Sequence, residues 1–250
     1  MSRAKRLAAL ALALVGLASP ALAVDCGVLE HAGARYTICK VDATRETIRL
    51  FLNDPETGKP LGSFDNVAAL TERHGETLAF AMNAGMYHQD RSPVGHYLEK
   101  GNERRGVITS EGPGNFGLLP NGVFCVSDKS ARVYETNSYL AKAPACAYAT
   151  QSGPMLVIDG ALHPRFLKDS DSRYIRNGVG TSADGKTVYF AISESAVNFH
   201  DFGTLFRDTL KVPQALYFDG NISRLYVPGQ NRHDMGFPMG PIVGVTKPTE

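Results

Sequence analysis

Between residues 120 and 220 the chain is punctuated by Asn-Gly and Asp-Gly steps, at 121–122, 159–160, 177–178, 184–185 and 219–220. Each lies beside a short run of Val, Ile, Phe, Tyr or Thr. Asn-Gly and Asp-Gly accept the positive φ that two-residue hairpins demand, and β-branched and aromatic runs suit strands. "GLLPNGVFCVSD", "ARVYET", "PMLVIDGAL" and "RNGVGTSADGKTVYFAIS" therefore read as strands joined by tight turns. A chain cut this way builds sheet before it builds helix.

The flanks extend the pattern. "YTICKVD" and "TIRLFLN" look like a hairpin, and "HYLEKGNERRGVI" like another turning at Gly101–Asn102. "LAFAMNAGMY" reads as a buried strand that ends in a loop at Asn83, while "ALYFDG" and "GPIVGV" return to strand. Two segments carry helical spacing instead. "NVAALTERHG" predicts a short helix with Asn66 near its N-cap, and "NFHDFGTLFRDTL" one capped by Asn198, with Asp201 at the third position as a variant capping box. The expected fold class is α+β: a single strand-rich domain, with a large mixed or antiparallel sheet and a few packed helices.

Residues 1–23 stand apart. "MSRAKR" is basic, "LAALALALVGLA" is a short apolar run, and "SPALA" ends in small residues after which a signal peptidase would cut. The expected organisation is a signal peptide over 1–23 and a working domain over 24–250. Cys26 follows closely enough to suggest a lipid anchor, but Asp25 before it suits one poorly. No stretch is long enough to span a bilayer, so an exported protein, periplasmic or secreted, is expected. Of 26 Lys and Arg against 25 Asp and Glu, Arg3, Lys5 and Arg6 belong to the leader, which leaves the remainder slightly acidic. That balance, with no basic patch, excludes nucleic acid as the expected partner.

All four cysteines, Cys26, Cys39, Cys125 and Cys146, lie beyond the leader. Three pairings are open; the sequential one is favoured because each bridge then closes a modest loop, contributing about 3 kcal/mol in the chain-entropy picture. The seven histidines show neither H-x-H nor H-E-x-x-H spacing, so no metal site or cofactor is identified. Asp219, Glu194 and Asp90 carry oxygens that a divalent cation could use, but no spacing marks such a site.

Four apolar runs end in polar, small-residue loops: "AMNAGMYHQD", "ATQSGPMLVIDG", "YIRNGVG" and "YFDGNIS". Singly each is a turn; together they resemble a site scaffolded on strand ends. Asp219 is a candidate nucleophile, base or orienting carboxylate. Glu194 ends a buried strand and is a second candidate. The Ser152–Gly153 turn offers N–H groups to an anion, and the Arg176 fork suits phosphate.

In this order, "MNAGMY", "PNGVF", "QSGPMLVIDG", "RNGVGTSADGKTVYF" and "ALYFDGNIS" resemble the phosphodiester glycosidase family. The resemblance implies a mixed-sheet domain acting on an N-acetylglucosamine-like sugar phosphodiester. It nominates Asn83, Ser152, Gly153, Arg176, Asp219, Gly220 and Ser223. One departure is visible: where the family carries D-G-G-G-S this chain has "DGNIS", and the usual Asp-Gly after "YFAIS" is replaced by Glu194. Three functions compete: a hydrolase releasing free sugar, a phosphodiesterase cutting on the phosphorus side, and a non-catalytic glycan or envelope binder. Their products, or the absence of any, separate them.

Overall fold

Alternation along the strand Gln214–Asp219 shows how the layers are set. Leu216 and Phe218 point into one apolar cluster, Ala215 and Tyr217 into another. A strand apolar on both faces must be covered on both. The computed structural model describes residues 24–249, and the expected signal peptide lies outside the described residues.

The strand belongs to a seven-stranded sheet whose spatial order is Asp25–His31, Ala34–Asp42, Thr187–Ser193, Asn177–Thr181, Gln214–Asp219, Met155–Ile158 and Ala161–Leu162. A second sheet of five strands runs Arg232–His233, Leu225–Val227, Glu76–Asn83, Ile242–Pro248, Thr47–Phe51. A third, also of five, runs Asn102–Arg105, Tyr97–Glu99, Tyr148–Ser152, Gly122–Val126, Ala131–Glu135. Every pairing among them is antiparallel. The α+β, strand-rich class holds, with three sheets where one large sheet was expected.

The three sheets share one core. Phe190 of the first sheet lies 4.9 Å, centroid to centroid, from Phe80 of the second and 5.9 Å from Phe124 of the third. Each sheet buries its other face under a helix. On the second sheet lies α1 (Phe64–Arg73), and on the third α2 (Thr136–Lys142). The first is covered by α3 (Phe199–Thr204) and the π-helical turn Leu205–Thr209 that continues it. Among the described residues no helix is long and apolar enough to cross a membrane.

Two sequence expectations need correction. Tyr36–Asp42 and Thr47–Asn53 do not form a hairpin. The strand containing the first pairs with Asp25–His31 and Thr187–Ser193, whereas Thr47–Phe51 pairs with Ile242–Pro248. The short link between them carries the chain from one sheet to the next, so Val41 and Leu50 enter the shared core from different sheets. In α1 the N-cap is Ser63, whose Oγ accepts the Asn66 N–H at 3.2 Å. Asn66 is thus the third helical residue, its amide donating to Leu61 O. Asn198 does cap α3, accepting the Asp201 N–H at 2.8 Å.

Both disulfides follow the sequential pairing. Cys26–Cys39 joins register partners of the first hairpin, and Cys125–Cys146 ties the third sheet to the segment after α2. No free cysteine remains.

Candidate active site

The Xaa-Gly steps divide into two kinds. Asp159–Gly160 and Asp184–Gly185 are turns: Gly160 and Gly185 have φ of 80° and 74°, and each step joins two antiparallel strands. Asn121, Asn177 and Asp219 are instead buried at strand ends. Their polar side chains must then find partners inside the protein, because an unpaired buried amide costs about 1–3 kcal/mol.

Asn177 finds them across two sheets. It is the register partner of Asp219, beside an irregularity in the ladder. Its Nδ2 donates to Asn83 O at 2.9 Å and to Asn83 Oδ1 at 3.0 Å. Its Oδ1 accepts the Asp219 backbone N–H at 3.2 Å and Asn83 Nδ2 at 3.3 Å. Asn83 Oδ1 also accepts the Arg224 N–H at 2.9 Å. Ser223 Oγ donates to Asp219 O at 2.7 Å and lies 2.9 Å from Ile175 O. This buried lattice welds the end of the first sheet to the end of the second.

On that weld sits Asp219. Its Oδ1 accepts the N–H groups of Gly220 and Asn221 at 2.6 and 2.9 Å. Its Oδ2 takes no hydrogen bond from the described residues. The residue is 8 % exposed, and that exposure opens into a cavity of about 840 Å³. Burial pushes the Asp219 carboxyl above the usual carboxylate range, against the pull of the N–H groups of Asn221, Gly220 and Ile222.

The cavity wall opposite comes from Ser110–Phe116. Gln151 holds the start of that segment: its Oε1 accepts the N–H of His96 and of Ile108, each at 3.0 Å, and its Nε2 donates to Ile108 O at 2.6 Å. Asn121 holds the other end, donating to Phe116 O at 3.2 Å. Tyr87, Tyr174, Tyr217 and Phe116 supply aromatic surface, and Glu111 a second carboxylate. His88 is the basic side chain among the described lining residues; no Lys or Arg is there.

The nominated residues therefore have different places. Asp219 and Gly220 line the cavity; Asn83 and Ser223 stand behind them in the weld. Ser152 is buried and donates to Phe218 O at 2.9 Å, a strap between the third sheet and the first. Gly153 packs where a Cβ would lie 2.7 Å from Asn121 Cβ. Arg176 is fully buried, its guanidinium carbon 3.6 Å from the Phe199 ring centroid and near Tyr217 and Tyr174 at 5.3 and 5.4 Å. Its Nε and Nη2 donate to Val197 O and Ser172 O, each at 2.9 Å. Two nitrogens of the fork that suggested phosphate are thus spent on backbone, and Arg176 is not among the residues that line the cavity.

Glu194 is not brought to Asp219. It accepts Arg232 Nη1 and Thr37 Oγ1, both at 2.5 Å, beside the Arg232–Asp234 pair and away from the cavity wall. Glu194→Gln is expected to leave turnover within about twofold, as exposed ion pairs contribute little; steady-state kinetics check this. Asp90 closes an exposed turn on Ser92. Among the described residues no three His, Cys, Asp or Glu side chains are grouped to hold a metal.

Sequence reasoning passed over Asn177, Gln151 and the cavity tyrosines. Asn177 and Gln151 sit inside the quoted motifs, next to the residues chosen. Gly220 is demanding for a reason visible only in three dimensions: a Cβ there would lie 2.1 Å from Tyr217 Oη. Gly220→Ala is expected to cost about 1–3 kcal/mol by overpacking, with most of that loss absent in a Tyr217→Phe background. Chemical denaturation of the four species tests the coupling.

The strand-rich fold thus places a buried carboxylate, Asp219, at a cavity beside the ends of its sheets. This chain belongs to the phosphodiester glycosidase family, whose model matches residues 76–246. It is 32% identical over 218 residues to the Escherichia coli (strain K12) protein YigE, itself uncharacterized, covering 87% of this chain and 84% of that one. Its fold is similar to the zebrafish N-acetylglucosamine-1-phosphodiester alpha-N-acetylglucosaminidase catalytic domain, auto-inhibited by its pro-peptide. The TM-score is 0.63 at 13% identity, covering 92% of this chain and 84% of that structure.

Proposed function

We propose that this protein is an exported hydrolase of N-acetylglucosamine-like glycosyl phosphodiesters, which frees the sugar from envelope or exopolysaccharide material. Asp219 is the observation that carries the reading: a buried carboxylate with one oxygen tied by two N–H groups, lining a sugar-sized cavity. In such a diester the group leaving C1 is a phosphate monoester, already a weak base. It needs less protonation than a sugar alcohol, so one well-placed carboxylate goes further here than in most glycosidases. Asp219 Oδ2 serves either by attacking C1 or by taking a proton from the water that does. Both roles need the ionised form.

The lining also suits a diester better than a monoester. Two carboxylates and no Lys or Arg among the described lining residues would repel a dianion, while a singly charged diester can be held by neutral donors. Aromatic faces from the tyrosines suit the sugar ring. The two disulfides fit an oxidising compartment, which supports export.

A binding-only role is the competing reading, favoured by one observation. Ile222, where the family loop carries glycine, lines the cavity and packs into the second sheet's apolar cluster. One incubation separates the readings: mature protein with an N-acetylglucosamine 1-phosphodiester, products resolved by chromatography. Free N-acetylglucosamine supports the hydrolase. Sugar 1-phosphate means cleavage on the phosphorus side, and tight binding without product means a binder.

A further inference from the structure

Tyr217 Oη and Arg176 Nη1, both buried, make no hydrogen bond within 3.5 Å among the described residues, although Arg176 and the Asn115 side chain lie near enough to the hydroxyl to oppose its rise in pKa. Both residues are fully buried, and a hydroxyl left unpaired at such depth costs about 1–3 kcal/mol. Most of the Tyr217 ring is accounted for. It packs edge-on against Phe199, centroids 4.8 Å apart, within the apolar cluster under α3. The hydroxyl is not accounted for by packing, because a phenylalanine would fill the same space.

Position gives it a use. Tyr217 stands two residues before Asp219 on the same strand, across the irregularity that pairs them with the adjacent Gly178 and Asn177. Both line the cavity. The hydroxyl lies against the Cα of Gly220, the residue whose N–H holds Asp219 Oδ1. The Arg176 guanidinium sits behind the ring, 5.3 Å from its centroid, without a carboxylate partner among the described residues.

We propose that Tyr217 is the hydrogen-bond donor that holds a ligand oxygen beside Asp219. The assignment rests on the hydrolase reading for its substrate and deepens it by placing a neutral donor where the lining has no Lys or Arg. Burial keeps the phenol protonated, pushing it well above its ordinary range; Arg176 opposes that rise and Asp219 adds to it. A donor that does not ionise at working pH can hold an anionic oxygen near a carboxylate without charge repulsion.

The test is Tyr217→Phe in the full mature protein, assayed on the N-acetylglucosamine 1-phosphodiester and, separately, for binding N-acetylglucosamine 1-phosphate by calorimetry. The variant is expected to fold and to melt no lower than wild type, since an unpartnered hydroxyl is removed. Turnover is expected to fall about 10–100-fold, as for loss of one oriented donor, and phosphate-ester binding about tenfold. Unchanged turnover and binding in a folded variant overturn the assignment and leave the hydrolase reading standing. Wild type that binds but never cleaves overturns the hydrolase reading, while weaker binding by Tyr217→Phe still supports the donor. Wild type that neither binds nor cleaves overturns both.

Discussion

Asp219→Asn is expected to lower sugar release by about a thousandfold or more while making the protein more stable at neutral pH. The first effect follows from chemistry: an amide neither attacks C1 nor takes a proton from water. The second follows from burial. The folded protein raises the Asp219 carboxyl above the ordinary aspartate value of 3.8. A raised carboxyl binds its proton more tightly in the native state than in the unfolded one. Its favourable contribution is therefore complete below the unfolded value and is lost as pH rises through the folded one. At pH 7 the wild type carries a buried charge that the asparagine variant does not, and the variant's Oδ1 can still accept the N–H groups of Gly220 and Asn221. Melting curves at pH 7 and pH 3 should show the variant ahead at the first and level at the second. The same shift sets the acid limb of wild-type kcat/KM above the usual carboxylate range. A variant that keeps wild-type turnover removes Asp219 from the mechanism.

Asn177→Ala is expected to cost about 3–5 kcal/mol, a fall in Tm on the order of 10 °C for a domain of this size. The amide serves five partner atoms at once: it donates to Asn83 O and Oδ1, and accepts from Asn83 Nδ2, the Asp219 backbone N–H and Ser223 Oγ. Truncation strands two buried donors, leaves a void, and loosens the strand end that aims Asp219. Turnover should drop with stability even though Asn177 does not line the cavity. A double variant, Asn83→Leu with Asn177→Leu, is expected to lose less than the sum of its parts, because removing both partners leaves fewer groups orphaned. Urea denaturation of the cycle measures the coupling. Additivity would show that the two amides do not act as a unit.

Local signals served the fold well where the physics is local. β-branched runs became strands, Asn198 capped α3, and Asp159–Gly160 and Asp184–Gly185 turned hairpins, because each depends on a few adjacent residues. They failed where a neighbour in sequence is a stranger in space. The link after Asp42 is short enough for a hairpin, yet it changes sheets. Ser63 was hidden as a cap because glycine and serine beside an apolar run also read as loop.

The site divides in the same way. The loops that build it were legible as small-residue breaks after apolar runs, and "DGNIS" drew attention to Asp219. Roles within the loops were not legible. Gln151 rather than Ser152 holds the opposite wall, and Asn177 rather than Arg176 reaches the weld. Neighbours on a strand point to opposite faces, so a motif names the place and leaves the face undetermined.

From sequence alone came a strand-rich class, the favoured pairing of the cysteines and the loops where a site would be built. Tertiary structure alone decided which Xaa-Gly steps are turns and which are buried machinery. The reason is range. A turn is settled by the φ of two residues. The burial of Asn177 is settled by its register with Asp219 and by Asn83, 94 residues away on another sheet.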